Sequence, residues 1–425
     1  MKILLKNCNI IDPLIDYKDK NQILIENGII EKILYESDEI ADLIIDGKGK
    51  AVTPGFIDMH CPLREPGFEY KETIKAGTMA AAKGGYTTVC CMPNTNPIID
   101  NVNSLKKLKE IVCKDAIIDV IPIGAVTVGQ KGIKLVDLDK MLENGVWMFS
   151  DDGNPVWNEE IMEECLSMAK TKNLLIIDHC EDLDLVSGGV INEGSVSKRL
   201  GLRGISNASE VVPIKRNIKI AQRIGAPVHI AHISTQESLN AIKEAKERGI
   251  QITCEVMPHH ISLCDEDIVD ENTDFKVNPP LRSKIDVEAL RAGLSEGIID
   301  VIATDHAPHN YMDKPGDFYK AANGISGLET AFSICYTYLV RNKYITLREL
   351  IKFMCLNPAK LLNINKGRIK EGYVADLTVT DLERNFIVNK NDFVSKGKNT
   401  PFHGKKLWAE VQMTIGSGEL VYRKE

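Results

Sequence analysis

The chain has 425 residues, 44% of them hydrophobic and 26% charged, the profile of a globular protein with a large core. Fifty-two basic residues against 60 acidic ones leave a formal charge of -8, which argues against general affinity for nucleic acid or an anionic membrane and favours small-molecule chemistry. No apolar stretch approaches the length of a membrane span, and Met1 to Asn9 enters a strand-like pattern without a signal-peptide layout, so a cytoplasmic protein is expected.

Residues 1 to about 50 give short strand-like runs, Ile3 to Leu5, Gln22 to Ile25, Ile29 to Leu34 and Leu43 to Ile45, with Asn27-Gly28 as a hairpin signal. From Pro54 strands alternate with helices. The expected strands are Phe56 to His60, Thr87 to Met92, Ile117 to Gly124, Val146 to Ser150, Leu174 to His179, Val228 to His232, Ile252 to Val256 and Ile299 to Thr304. Helix-like stretches such as Lys71 to Lys83, Asn158 to Lys172, Glu210 to Ile224, Gln236 to Arg248 and Val287 to Leu294 lie between them. Eight strands with helix-sized connections predict an α/β fold, a parallel (β/α)8 TIM-like barrel. The alternative, a doubly wound open sheet, lacks a glycine-rich phosphate fingerprint after its first strand.

After Leu361 strand character returns in Gly367 to Asp376, Leu377 to Thr380, Leu407 to Ile415 and Leu420 to Tyr422, with Asp381 to Asn385 read as a turn. The two ends are expected to form one flanking β-sandwich, residues 1–52 with 366–425, around a barrel of residues 53–365. The eleven cysteines lack paired CxxC spacing and read as reduced core thiols, Cys90 and Cys91 facing opposite ways on one strand.

The carboxyl-terminal ends of barrel strands share one mouth. Strand one ends at His60, strand two leads to Asn94, strand four to Asp151 and Asp152, strand five to His179, strand six to His232 and strand eight to Asp305. Imidazoles and carboxylates in this number suit a catalytic divalent metal, zinc first among them. Residues three apart on a strand face opposite ways, so of His229 and His232 the second is chosen and the first read as structural. His259 and His260 sit beyond Pro258 and are read as lying off the metal.

Pro54-Gly55-Phe56-Ile57-Asp58-Met59-His60, followed by Leu63-Arg64-Glu65-Pro66-Gly67, resembles the opening signature of the dihydroorotases of the amidohydrolase superfamily. Met92-Pro93-Asn94-Thr95, Ser150-Asp151-Asp152-Gly153, Ala303-Thr304-Asp305-His306-Ala307-Pro308-His309 and Gly324-Ile325-Ser326-Gly327-Leu328-Glu329-Thr330 extend the likeness over nearly the whole chain. The resemblance implies the bacterial class in which an aspartate bridges the metals. It implies zinc on His60, Asp152, His179, His232 and Asp305, with Asp152 bridging and Asp305 also moving the proton. Arg64, Asn94, Asn278 and His309 match the binders of substrate carboxylate and ring; a planar arginine fork suits a carboxylate.

One departure stands out. The resembled signature reads His-x-His, whereas this chain has His60-Cys61-Pro62, so the second imidazole is missing. Cys61 can replace it only if the strand bends locally, and the metal on His60 is expected to be held more weakly than the one on His179 and His232. The expected reaction interconverts N-carbamoyl-L-aspartate and L-dihydroorotate. Rival readings are another cyclic amidohydrolase (hydantoinase, dihydropyrimidinase or allantoinase) and a silent homologue kept as a structural partner. A homodimer and association with aspartate transcarbamoylase are the partner expectations, alongside the small-molecule substrate. Asn310 to Asn323, polar and without periodicity, is expected to form a mobile lid after His309.

Overall fold

The structure, a computed structural model, describes residues 2–425. Eight parallel strands run through its centre in sequence order: Phe56–Cys61, Tyr86–Cys91, Asp119–Pro122, Met148–Phe149, Leu175–Asp178, Val228–Ile230, Ile252–Val256 and Val301–Ile302. Ladders join strands one to three and four to eight, and a parallel bridge between Gly124 and Phe149 links the two groups. Side-chain bonding closes the circle. Asp58 on the first strand accepts from the Thr304 backbone nitrogen at 3.0 Å, just past the eighth, and from the Thr304 hydroxyl.

Strand periodicity separates two apolar layers. Ile57, Met59, Cys90, Met92, Ile123, Met148, Ile177, Ala231, Met257, Val301 and Ala303 fill the barrel interior. The alternate residues Phe56, Cys61, Val89, Cys91, Phe149, Ile176, Ile230, Cys254, Val256 and Ile302 face the surrounding helices. Cys90 and Cys91 therefore take opposite faces, and all eleven cysteines are free. The outer helices use ordinary stops and starts: Thr73, Asn101, Asn158, Thr235 and Ser283 each cap a helix amino terminus with the side chain.

Both chain ends contribute to two sheets beside the barrel. Lys2–Lys6, Gln22–Glu26, Ile29–Leu34 and Leu43–Asp46 make one. Asn9–Ile10 and Ala51–Pro54 join Leu377–Ile387, Lys406–Gly416 and Glu419–Arg423 in the other. A shared core of Ile3, Leu5, Ile23, Ile25, Val52, Leu377, Val379, Met413 and Ile415 lies in these strands. Asp381 to Asn385, expected as a turn, instead lies within one long strand, where Asp381 pairs with Glu410 and Asn385 with Trp408. Three residues, 382–384, lie opposite Ala409 alone there, so the polar run is a bulge that bends the strand rather than ending it. No helix among the described residues is long and apolar enough to cross a membrane.

Candidate metal and substrate site

Four site residues follow directly from the strand repeat. Inward positions continue from Met92 to Asn94, from Met148 through Ser150 to Asp152, from Ile177 to His179 and from Ala303 to Asp305. His60 and His232 do not, since each follows directly on an inward residue, Met59 and Ala231. Local irregularities turn them in. The first strand slips register between Asp58 and Cys61, and His232 has left its strand with φ +30°. Asp305 and Arg64 also occupy the left-handed region, at φ +46° and +66°, so three non-glycine residues at this mouth hold backbone conformations that cost energy.

The side chains converge. Asp152 Oδ1 lies 3.3 Å from His60 Nε2, 3.6 Å from His179 Nδ1 and 3.8 Å from His232 Nε2. His60 Nε2 is 3.6 Å from Asp305 Oδ1, and His179 Nδ1 and His232 Nε2 approach to 2.7 Å. Ligand atoms of His60, Asp152 and His232 all lie within 4.8 Å of one another. His60 Nε2 is buried without a hydrogen-bond partner, although polar atoms surround it. An orphaned imidazole nitrogen among converging nitrogen and carboxylate donors is what a divalent cation requires, so these residues fit a metal.

Burial and mutual charge set the protonation tendencies. Burial alone would lower the His60 imidazole, yet the carboxylates of Asp152 and Glu255 prevail and raise it well above its ordinary value. Asp152 shows the reverse: burial raises it, but His60, His179 and His232 hold it well below the carboxylate range. Asp305 is pushed up to about 7, first by burial and then by Asp152, against the opposing charges of His60 and Arg64.

The expected substrate binders occupy different places. Asn94 Nδ2 donates to Asp152 Oδ2 at 2.9 Å and leaves its buried Oδ1 unpartnered. Arg64 donates through Nε to Pro308 O and sets Nη2 3.3 Å from His309 Nε2, so these two expected binders are neighbours. Asn278 stands behind the metal candidates: its Nδ2 donates to Glu181 Oε1 at 3.0 Å, and Glu181 Oε2 lies 3.1 Å from His179 Nε2. Asp151 is occupied elsewhere, accepting from Val126 N, Thr127 N and the Thr127 hydroxyl, which separates it from its neighbour Asp152.

A curated dihydroorotase of Thermoanaerobacter sp. (strain X514) is 48% identical over 426 residues, covering 100% of this chain and 98% of that protein. The chain belongs to the dihydroorotase family. A second relative, the dihydroorotase of Acetivibrio thermocellus, is 45% identical over 423 residues, covering 100% of this chain and 99% of its own length. Residues 49–238 match the Dihydro-orotase-like family and residues 211–422 the Amidohydrolase family. Among solved structures, L-hydantoinase (dihydropyrimidinase) from Arthrobacter aurescens superposes with TM-score 0.89 at 25% identity, over 99% of this chain and 96% of that one. Dihydropyrimidinase from Brevibacillus agri NCHU1002 superposes with TM-score 0.88 at 22% identity, over 100% of this chain and 95% of that one, and shares the fold.

Several supporting groups of this chain escaped the reading of strand ends. Glu255 lies 2.7 Å from His60 Nδ1 and 3.3 Å from His229 Nε2, so it fixes the ring that faces Asp152 and gives His229 its structural role. A lone glutamate on an inward position of the apolar strand Ile252–Val256 was the available signal. His306 accepts from Gly327 N at 3.1 Å and holds the following turn rather than the site. His260 lies near Pro279 O at 2.9 Å, and neither it nor His259 joins the metal group. Cys61 lies in the outer apolar cluster with Leu63 and Ile74, so it faces away from the metal candidates, and burial holds its thiol well above the ordinary range. By alternation Pro62 then falls on the side of His60.

The segment after His309 is better anchored than its composition suggests. Phe318 is buried, Lys314 Nζ donates to Lys276 O and Ala322 O, and Lys276 Nζ donates to Ala321 O. Its exposed positions include Tyr311 and Met312 at the leading edge and Tyr319 further on.

Proposed function

We propose that the chain is a zinc-dependent dihydroorotase that reversibly cyclises N-carbamoyl-L-aspartate to L-dihydroorotate in the pyrimidine biosynthesis of the cytoplasm, acting as a homodimer or in association with aspartate transcarbamoylase. The division we favour is a catalytic barrel of residues 53–365 and a β-sandwich of residues 1–52 with 366–425. The observation that carries the activity is the buried convergence of His60, Asp152, His179, His232 and Asp305 beside the Arg64–His309 pair.

His60, Asp152, His179, His232 and Asp305 would hold the zinc. Bound there, zinc would supply Lewis acidity, which can lower the pKa of water from about 15.7 to about 7 and polarise a carbonyl. Arg64 offers its guanidinium fork to the substrate carboxylate, His309 flanks that fork, and the free Oδ1 of Asn94 accepts from a substrate N–H. Asn278 acts through Glu181 on the ring of His179. In hydrolysis a water oxygen adds to the ring amide carbon, the carbon–nitrogen bond breaks, and Asp305 carries the water proton to the departing nitrogen. Cyclisation runs these transfers in reverse.

The uncharged-ring hydrolases that share the fold are disfavoured by Arg64, which provides a carboxylate partner, and by Asp152 at the position proposed to bridge. The test is a substrate panel with zinc-loaded protein: dihydroorotate and carbamoyl aspartate are expected to turn over, and a preference for hydantoin or dihydrouracil would overturn the assignment. Absence of turnover together with absence of bound metal would leave the silent-partner reading in its place.

A further inference from the structure

Beyond His309 the surface opens into a concavity of about 370 Å³ whose lining includes Lys314, Lys390, Lys396, Lys398, Asp274 and His309. Four lysines and one carboxylate line it, and because burial lowers Lys314 to about 7 its positive charge at neutral pH rests mainly on Lys390, Lys396 and Lys398, on a chain whose formal charge is -8. The acid is already taken, since Lys390 Nζ lies 3.2 Å from Asp274 Oδ2. The other three side-chain nitrogens donate to carbonyls instead: Lys314 to Lys276 O and Ala322 O at 2.9 and 2.8 Å, and the ammonium groups of Lys396 and Lys398 to Glu69 O and Phe393 O. A carbonyl orients an ammonium group without cancelling its charge. The positive field therefore persists, and it continues inward. His309 lines this concavity and also touches Arg64, while Lys71 Nζ lies 3.3 Å from its other ring nitrogen, partly balanced by Asp313 at 3.6 Å from that lysine. The His309 imidazole is itself held far below its ordinary value by burial and by Arg64, Lys71 and Lys314, so it adds no charge of its own.

The two partners of the proposed reaction differ in charge. Ring closure consumes one carboxylate and one proton, so the open chain is a dianion and the ring a monoanion. We infer that the lysine-lined concavity is an antechamber that captures the open-chain dicarboxylate and passes it by way of His309 to Arg64, favouring entry of the acyclic partner. This rests on the dihydroorotase reading. A cleft lined by one sign of charge concentrates oppositely charged ligand and raises association about 10- to 1,000-fold, an effect that salt removes. The attraction scales with ligand charge, so the fold-change for the dianion is roughly the square of that for the monoanion.

The test is kcat/KM of the zinc-loaded enzyme for each partner between low and moderate salt. An approximately tenfold fall is expected for carbamoyl aspartate and an approximately threefold fall for dihydroorotate. K390Q/K396Q/K398Q is expected to lower kcat/KM for carbamoyl aspartate about tenfold at low salt, mainly through KM, and to flatten its salt dependence. The triple Lys→Arg variant keeps the charge and is expected to restore both. Equal salt slopes for the two partners in the unmodified enzyme, or wild-type slopes in a folded triple Gln variant, overturn the antechamber alone. Turnover of neither partner overturns the dihydroorotase reading and the antechamber with it. Should the Gln variant fail to fold, the slopes of the unmodified enzyme decide.

Discussion

Asp305 combines burial, a left-handed backbone and contact with His60, and its value to the proposed reaction is the proton it carries. Asp305→Asn is expected to lower kcat by about 100- to 10,000-fold while zinc on His179 and His232 persists, measured by steady-state kinetics beside metal analysis. Pro62 poses a separate question of stoichiometry. With Cys61 turned outward, the proposed metal on His60 has only Asp305 and its share of Asp152 as further protein ligands. Less than two zinc per chain is therefore expected after dialysis, with the ion on His60 the first lost to a chelator. Pro62→His is expected to bring the content toward two, and two equally chelator-resistant ions in the unmodified protein would refute the asymmetry. Most of the candidate site residues stood out in the sequence because acids and imidazoles interrupted apolar runs at strand ends. Glu255 could not, because it lies within a strand and its worth depends on a partner, His60, far away in the chain.

At the level of elements, the segment 393–400 links the sheet strands to the mouth. Asn399 is buried; its Oδ1 accepts from His309 N at 2.8 Å and the Ser326 hydroxyl at 3.0 Å, and its Nδ2 donates to Ala307 O and Gly324 O. One amide thus joins the loop after strand eight to the turn that follows it. Asn399→Ala leaves His309 N, Ala307 O and Gly324 O without this partner, while the Ser326 hydroxyl keeps Gly397 O at 2.9 Å, and is expected to cost about 1–3 kcal/mol in stability, with KM raised more than kcat is lowered as His309 loosens. A thermal melt and initial-rate kinetics check both parts; a stability loss with KM unchanged would reduce Asn399 to a structural tie. Periodicity predicted which elements exist, and the expected and observed strands overlap throughout the barrel. It could not place His60 and His232, because a register slip and a positive φ are products of packing between neighbouring strands. The same blindness turned the bulge at Asp381 to Asn385 into an expected turn: polar residues mark a break in pairing but not whether the strand resumes.

Over the whole molecule, Lys314 gives stability a pH dependence. Burial, with Lys276 adding to it, pushes its ammonium group from 10.5 down to about 7, against the pull of Asp274. Between those values the unfolded chain holds a proton that the folded chain has released, so stability from this group rises with pH across that window and is least below about 7. Urea midpoints at pH 6, 8 and 9.5 are expected to climb more steeply for the unmodified protein than for Lys314→Met. Parallel curves would show that the lysine does not carry the effect.

The pairing of Ala51–Pro54 with Leu377–Thr380 also sets a timetable for synthesis. At about 5–20 residues per second, the ribosome needs roughly 15 to 65 seconds to travel from one strand to the other. Every candidate site residue emerges within that interval, yet the strand before the barrel has no antiparallel partner until it ends. A nascent chain stalled at residue 376 therefore carries the complete set of ligands beside an open sheet edge, and such an edge is a template for another chain. Released polypeptides of that length are expected to sediment with chaperones or aggregates, whereas full-length product remains in the supernatant.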